Sequence, residues 1–303
     1  MKTRDEIIQS EYIEKGRPRK EIASILGITD SALSTYLNRH KITKPVTKKL
    51  YESYDWLYNQ YIVEKSSSKE IAFITGSVKS TICCWLRKYK IPVRDRDEAQ
   101  FLAKFNSCNL TKYIRDFIIG ELLGDGTLTS HSRFTALYQH GNKHKEYIEW
   151  LIQKFAGYGI EAIGRPIYSQ QSGVATVYHF ATRTYPELKE VYDMFYVGGK
   201  KIVPIDLNIT PIVLRQWYIG DGYLCKRTDR KENPTIIIAT NSFSKEEVDN
   251  LISKLSDLSI EAWKRKSKGN FVIYIPYRGL VNFFGFIGSC SKEIENLYGY
   301  KWL

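Results

Sequence analysis

Sulfur is scarce in this chain: two methionines and five cysteines in 303 residues, none of them spaced C-x-x-C. Cys83, Cys84, Cys108, Cys225 and Cys290 therefore form neither a soft metal site nor a redox motif. They read as reduced thiols in a cytosolic protein. No apolar run approaches the roughly 18 residues that a membrane helix requires. No apolar h-region follows Met1-Lys2-Thr3-Arg4, so no secretory signal is expected. There is no G-x-x-x-x-G-K phosphate loop. His140 and His144 lie four apart, but no further ligand follows at zinc spacing. No Cys or Ser stands first and no His-Asn last, so an intein is not expected either. Acidic residues are also in deficit, with 33 Asp and Glu against 45 Lys and Arg, a net charge of +12. Half of that excess lies in the first hundred residues. A basic balance of this kind suits a polyanionic partner, nucleic acid first of all.

What the chain does have is repetition. Ile118-Ile-Gly-Glu-Leu-Leu-Gly-Asp125-Gly126 and Leu214-Arg-Gln-Trp-Tyr-Ile-Gly-Asp221-Gly222 are two apolar helical stretches, each ending in Gly-Asp-Gly. A glycine stop after a core helix is ordinary. An acid at a helix C-terminus is not, because it meets the negative end of the helix dipole. Two such acids brought together also resist ionising. A divalent cation between them offsets both costs. Gly120 and Gly124 lie four apart, on one helix face, where missing side chains allow close backbone approach. In the second copy Gln216 replaces the first small residue and Gly220 keeps the other.

From about Tyr113 onward, these motifs resemble the LAGLIDADG homing endonucleases. The resemblance implies two pseudo-symmetric αββαββα halves with antiparallel saddle sheets, an α+β fold. It implies that the motif helices pair at the centre, and that Asp125 and Asp221 bind metal beside Gly124 and Gly220. Each half would then cut one DNA strand. Mg²⁺ is the implied ion, with Mn²⁺ able to substitute, because the donors are hard oxygens. A lysine three residues before a proline reaches the catalytic centre in that family. Lys201 stands so before Pro204, 76 residues after Asp125, and Lys301, 80 residues after Asp221, is taken as its counterpart. A solvated lysine is the plain alternative for each. Gln139 matches a polar position near the scissile phosphate, and Asn241 is taken as its partner in the second half; a turn role is the alternative for both.

The residues themselves support that order. Period 2 after Gly126 predicts strands at 127–129 and 133–140, the latter presenting Arg133, Thr135 and Gln139 on one face, which the resemblance implies is the face that reads DNA. A helix is predicted over 143–158, strands near 161–169 and 174–183, and a helix over 185–196 ending at Gly198-Gly199. After the second motif come strands at 222–227 and 235–241 and a helix at 245–258 that opens on a Ser244/Glu247 capping box. Strands near 261–268 and 270–277 and a helix near 278–287 complete the pattern.

A second repeat precedes this core. Lys20–Ile42 and Lys69–Ile91, 49 residues apart, align Ala23 with Ala72, Gly27 with Gly76, Leu33 with Ile82, Tyr36 with Trp85 and Leu37 with Leu86. A small Ala, a Gly four later, and apolar anchors beyond it look like a helix-turn-helix. In such a motif the second helix enters the major groove. Its exposed face would be Asp30, Ser31, Ser34 and Thr35 in one copy and Lys79, Ser80 and Thr81 in the other, with Arg87 and Lys88 on phosphates. A helical hairpin used for packing is the alternative. Segments 43–54 and 92–112 read as connectors. The expected modules are 1–45 and 46–95, followed by halves at 96–200 and 201–303. The expectation is a monomeric, site-specific nuclease for a long target in double-stranded DNA, in the nucleoid or an organelle matrix. A non-cleaving DNA-binding regulator and a maturase for intron RNA are the competing readings.

Overall fold

Each copy of the N-terminal repeat folds as three helices around its own small core. In the computed structural model, which describes residues 3–15, 17–42, 49–164, 167–169, 177–226, 233–267 and 269–303, the chain divides into two compact units, Met1–Arg94 and Asp95–Leu303. In the first copy α1 (Arg4–Ile7) continues with π-type hydrogen bonding through Ile8–Glu14, followed by α2 (Arg19–Ile25) and α3 (Asp30–Arg39). Ile8, Ile22, Ala23, Leu33 and Leu37 are its core. In the second, α4 (Tyr54–Tyr58) continues through Asn59–Val63, and α5 (Ser68–Ile74) and α6 (Lys79–Lys88) follow. Ile71, Ala72, Ile82 and Leu86 pack there with Leu57 and Tyr61. Both tight turns need their glycine for conformation: φ is +64° at Gly27 and +60° at Gly76. Ile28 N donates to Ala23 O, and Ser77 N to Ala72 O, closing each first helix from beyond its glycine.

The second unit opens with α7 (Arg96–Ala103), capped by Asp95, inside the segment read as a connector. It then runs α8 (Lys112–Leu123), β1 (Thr127–Thr129), β2 (Leu137–Asn142), α9 (Lys145–Ala156), β3 (Ile167–Ser169), β4 (Val177–Ala181) and α10 (Pro186–Phe195). A short hairpin, β5 (Tyr196–Val197) and β6 (Lys200–Lys201), leads into α11 (Pro211–Asp221). β7 (Gly222–Cys225), β8 (Thr235–Ala239), α12 (Lys245–Asp257), β9 (Trp263–Ser267), β10 (Asn270–Ile275), α13 (Tyr277–Ile287) and α14 (Glu295–Tyr298) follow. Each half carries an antiparallel sheet, ordered β1-β2-β4-β3 and β7-β8-β10-β9. This is the α+β arrangement that the αββαββα pattern implies.

Helices α8 and α11 are apolar nearly all round, which fits burial at a centre rather than on a surface. Phe117, Ile118, Ile119, Leu122, Val213, Leu214, Trp217 and Tyr218 belong to one core that runs through both halves. Buried Asp116 accepts from Lys112 Nζ at 2.8 Å and from the Thr210 hydroxyl at 3.1 Å. Thr210 itself caps α11, so one carboxylate ties the start of each motif helix together.

Two strand expectations change. Residues 130–135 are not strand, because Ser130 Oγ donates to Ser132 O at 2.6 Å and Thr135 O at 2.9 Å, folding the segment into a bend. The strand starts at Leu137, which removes Arg133 and Thr135 from the sheet face. Gly198-Gly199 does not merely end a helix. With φ of +57° and +77° the two glycines form the turn of the β5–β6 hairpin. Residues 43–48, 165–166, 174–176, 227 and 268 of the expected connector and strands lie outside the described residues.

Candidate active site

The site begins with a glycine that has no alternative. A Cβ placed on Gly120 would lie 2.6 Å from Val213 O and 2.7 Å from Gln216 Cβ, well inside contact distance. Buried Gln216 thus occupies the space that the missing side chain leaves. One turn on, a Cβ on Gly220 would stand 3.5 Å from Gly124 Cα and 3.9 Å from Asp125 Oδ2. The two helix ends meet at this glycine pair, and the acids follow at once. Asp125 lies in a loop held by Glu121 O, which accepts from Gly124 N at 3.1 Å and Gly126 N at 2.8 Å. Asp221 ends α11. Burial first, and then the neighbouring Asp125, push its carboxyl up to about 7, against the opposing pull of Lys201 and Lys301.

Both lysines reach the same place. Lys201 Nζ donates to Gly126 O at 2.8 Å, and Lys301 Nζ to Ile219 O at 2.6 Å. Burial lowers each to about 8, while Asp221 and Asp125 hold the charged form. Lys201 is aimed by the β5–β6 hairpin. Lys301 is buried, and its ammonium lies 5.3 Å over the Tyr298 ring. Two carboxylates and the adjacent carbonyls of Gly124 and Gly220 could hold a hard divalent ion, with water and substrate oxygens completing its shell. Among the described residues no cluster of three or more His, Cys, Asp and Glu offers a fuller protein cage.

The sheet registers place one candidate and displace another. Two residues after Asp125, Thr127 pairs with Gln139, whose side chain is exposed and accepts from Thr129 Oγ1 at 3.1 Å. Two residues after Asp221, Tyr223 pairs with Ile237. The register counterpart of Gln139 is therefore Ile237. Asn241 lies four residues further on, exposed in the turn after β8, so its pairing with Gln139 is corrected. Arg133 is exposed, pairs with Asp95 and lies 4.7 Å over the Phe134 ring.

In the N-terminal unit Ser31 and Thr35 are exposed, the Thr35 hydroxyl donating to Ser31 O at 3.0 Å. Asp30 is not a free face residue. Arg19 grips both its oxygens at 2.6 Å and donates to Ser34 Oγ at 3.1 Å, tying α2 to α3. Lys79, Ser80, Arg87 and Lys88 are exposed and Thr81 is half-buried. Lys88 Nζ sits 3.8 Å over the Trp85 ring.

Sequence reasoning missed the basic strand β9. Arg265 and Lys266 line a cleft of about 640 Å³ on the second sheet with Cys225, Thr235, Ile237 and Tyr274. The signal was present in the run Trp263-Lys-Arg-Lys-Ser267, three cations inside a predicted strand.

Comparison with known proteins bears on the same region. The LAGLIDADG DNA endonuclease family matches over residues 115–283. An uncharacterised protein of Methanocaldococcus jannaschii is 29% identical over 163 residues, covering 53% of this chain and 62% of that one. Cytochrome b mRNA maturase bI2 of Debaryomyces hansenii is 28% identical over 156 residues, covering 48% and 56%. The chain thus spans less than two thirds of the length of either relative. Its fold is similar to that of the homing endonuclease I-WcaI bound to its DNA recognition sequence, with a TM-score of 0.57 and 23% identity over 72% of this chain and 97% of that one. The family match takes in both Gly-Asp-Gly helix ends and more than half of the residues, and on that ground the chain belongs to the LAGLIDADG DNA endonuclease family.

Proposed function

We propose that this protein is a site-specific endonuclease that hydrolyses one phosphodiester on each strand of a long DNA target, leaving short 3′ overhangs. One observation carries the reading: Asp125, Asp221, Lys201 and Lys301 converge on the paired ends of α8 and α11, though they are scattered over 177 positions of sequence. A DNA-binding scaffold gains nothing from two crowded acids facing phosphates. Asp125 and Asp221 hold Mg²⁺, or Mn²⁺ in its place, with the Gly124 and Gly220 carbonyls beside them. When bound, the ion supplies positive charge that activates water and stabilises charge developing on the phosphate. Lys201 and Lys301 each spend hydrogens on helix-end carbonyls and keep the rest for water or phosphate oxygens. Gln139 and Arg265 face the groove as base readers. Ser31, Ser34, Thr35, Lys79, Ser80 and Thr81 lead the second helices of the N-terminal modules onto DNA, with Arg87 and Lys88 on its backbone.

Cleavage selection on a randomised duplex library with Mg²⁺ tests this. The expected outcome is one long motif with a fixed cut, absent with Asp125→Asn while binding persists within a few-fold. Full cutting by Asp125→Asn would sink the assignment. A motif recovered by binding without cutting would point to a regulator. The similarity to a maturase favours intron RNA as the substrate to test if duplex DNA returns nothing.

A further inference from the structure

Behind the Asp125 loop lies a cluster of buried polar side chains. Glu121 is 2% exposed, His140 4%, Tyr147 2% and Tyr138 fully buried. Tyr147 Oη donates to Glu121 Oε1 at 2.7 Å and Tyr138 Oη to Glu121 Oε2 at 3.1 Å. His140 Nδ1 lies 3.0 Å from Tyr138 Oη and 3.2 Å from Glu121 Oε2. The single Tyr138 hydrogen is committed to Glu121, so the hydrogen between Tyr138 and His140 belongs to Nδ1. The carboxyl group therefore accepts from two hydroxyls, with the His140 Nδ1–H close beside it. Burial pushes both tyrosine hydroxyls well above their ordinary range, which keeps them donating.

The second half does without the carboxylate, the Tyr138 hydroxyl and the imidazole. Four residues before Asp221, where Glu121 stands before Asp125, is Trp217. Tyr138 pairs with Leu128, three after Asp125; Ile236 pairs with Leu224, three after Asp221. His140 is matched in the same way by Ile238. An indole and two isoleucines fill these three positions there, and the same fold results. A buried polar cluster costs more than hydrocarbon unless every member is satisfied. Fold alone does not account for it in the first half.

What the cluster does touch is the loop that carries Asp125. The main-chain oxygen of Glu121 takes the amides of Gly124 and Gly126. From the other side, Tyr138 Oη lies 2.8 Å from where a Cβ on Gly126 would be. Lys201 Nζ completes the grip on Gly126 O. We propose that Glu121 is a positioning residue: through Tyr138 it fixes Gly124–Gly126, and with them Asp125 and Lys201, so that the two cutting centres are inequivalent. The strand-cutting part of this rests on the endonuclease reading; the positioning part does not.

The test is Glu121→Gln, which keeps the shape and the Tyr147 ring but replaces an acceptor with a donor. Two readouts are taken on the full chain. In metal-free protein, amide exchange at Gly124 and Gly126 is expected to accelerate tenfold or more. On the duplex recovered by selection, one fixed strand is expected to be cut at least tenfold more slowly, the other within twofold, with Kd within twofold. Nicked duplex then accumulates. Equal slowing of both strands, or unchanged exchange at both glycines, overturns the proposal. Should Glu121→Gln not fold, Tyr147→Phe removes one donor and is expected to slow the same strand. If the wild type cuts no duplex, the endonuclease reading fails, and the exchange measurement alone decides whether Glu121 positions the loop.

Discussion

At Gly120 a single methyl group would have to push the α11 backbone away, since the nearest obstacle is Val213 O rather than a movable side chain. Gly120→Ala is expected to cost about 1–3 kcal/mol, the range for overpacking a core, read as a lower denaturation midpoint. Gly220→Ala is the control. Its Cβ would find its nearest neighbour at 3.5 Å, so stability should stay within about 1 kcal/mol. Asp221 stores a different kind of cost. Its carboxyl titrates near 7 in the folded protein instead of 3.8. Between those values the folded state binds the extra proton, so Asp221 makes metal-free stability fall as pH rises from about 4 to 7. Lys201 and Lys301, lowered from 10.5 to about 8, act oppositely on the alkaline side, where stability recovers from about 8 to 10.5. Asp221→Asn should therefore be more stable than wild type by on the order of 1–3 kcal/mol at pH 7.5 in chelator, a shift of one pKa unit being worth about 1.4 kcal/mol. At pH 4.5 the two should nearly coincide. Thermal unfolding at both pH values checks it, and equal gains at both would remove Asp221 ionisation as the cause.

Among the elements, the β5–β6 hairpin decides the most with the fewest residues. Gly198 and Gly199 take positive φ in open space, so it is backbone conformation and not crowding that demands glycine there. Gly199→Ala should cost about 1–2 kcal/mol. By displacing Lys201 it should also lower kcat more than it raises KM, a split that steady-state cleavage would read. The sequence showed the two glycines but not their use, since Gly-Gly after a helical stretch also reads as a helix stop. The paired motif helices were legible because their acids and glycines recur at fixed spacing. The strands of the second half were legible because Ile236 and Ile238 alternate with half-buried neighbours. The bend at 130–135 was not, because Ser130 makes it through side-chain bonds to main-chain oxygens that no periodicity records. Asn241 was misassigned for a related reason: equivalence between halves is a matter of strand register, and register appears only when Tyr223 is seen opposite Ile237. The polar cluster around Glu121 was invisible for want of a second copy to compare it with.

For the whole molecule, the question is what the Met1–Arg94 unit adds. Its two modules each carry a core, and each ends its second helix with basic side chains, Arg39 in one and Arg87 and Lys88 in the other. Residues 1–94 carry 18 Lys and Arg against 10 Asp and Glu, +8 of the net charge of +12. If these modules lie on DNA beside the cutting core, they contribute phosphate contacts, and each contact adds about 0.9 to the slope of log affinity against log salt. They also act through tethering, which raises the local concentration of one binding surface once another is engaged. Deleting residues 1–94 should therefore weaken binding to the selected duplex by tenfold or more at physiological salt and lower the salt slope by at least about 2. Cutting at the same phosphates should persist at higher protein concentration, because Asp125, Asp221, Lys201 and Lys301 all lie in the other unit. Titrations of full-length and truncated protein from about 50 to 300 mM salt separate the cases. Weaker binding with an unchanged slope would mean that the modules act without touching phosphate. Unchanged affinity and slope together would return them to helical packing units with no part in DNA recognition.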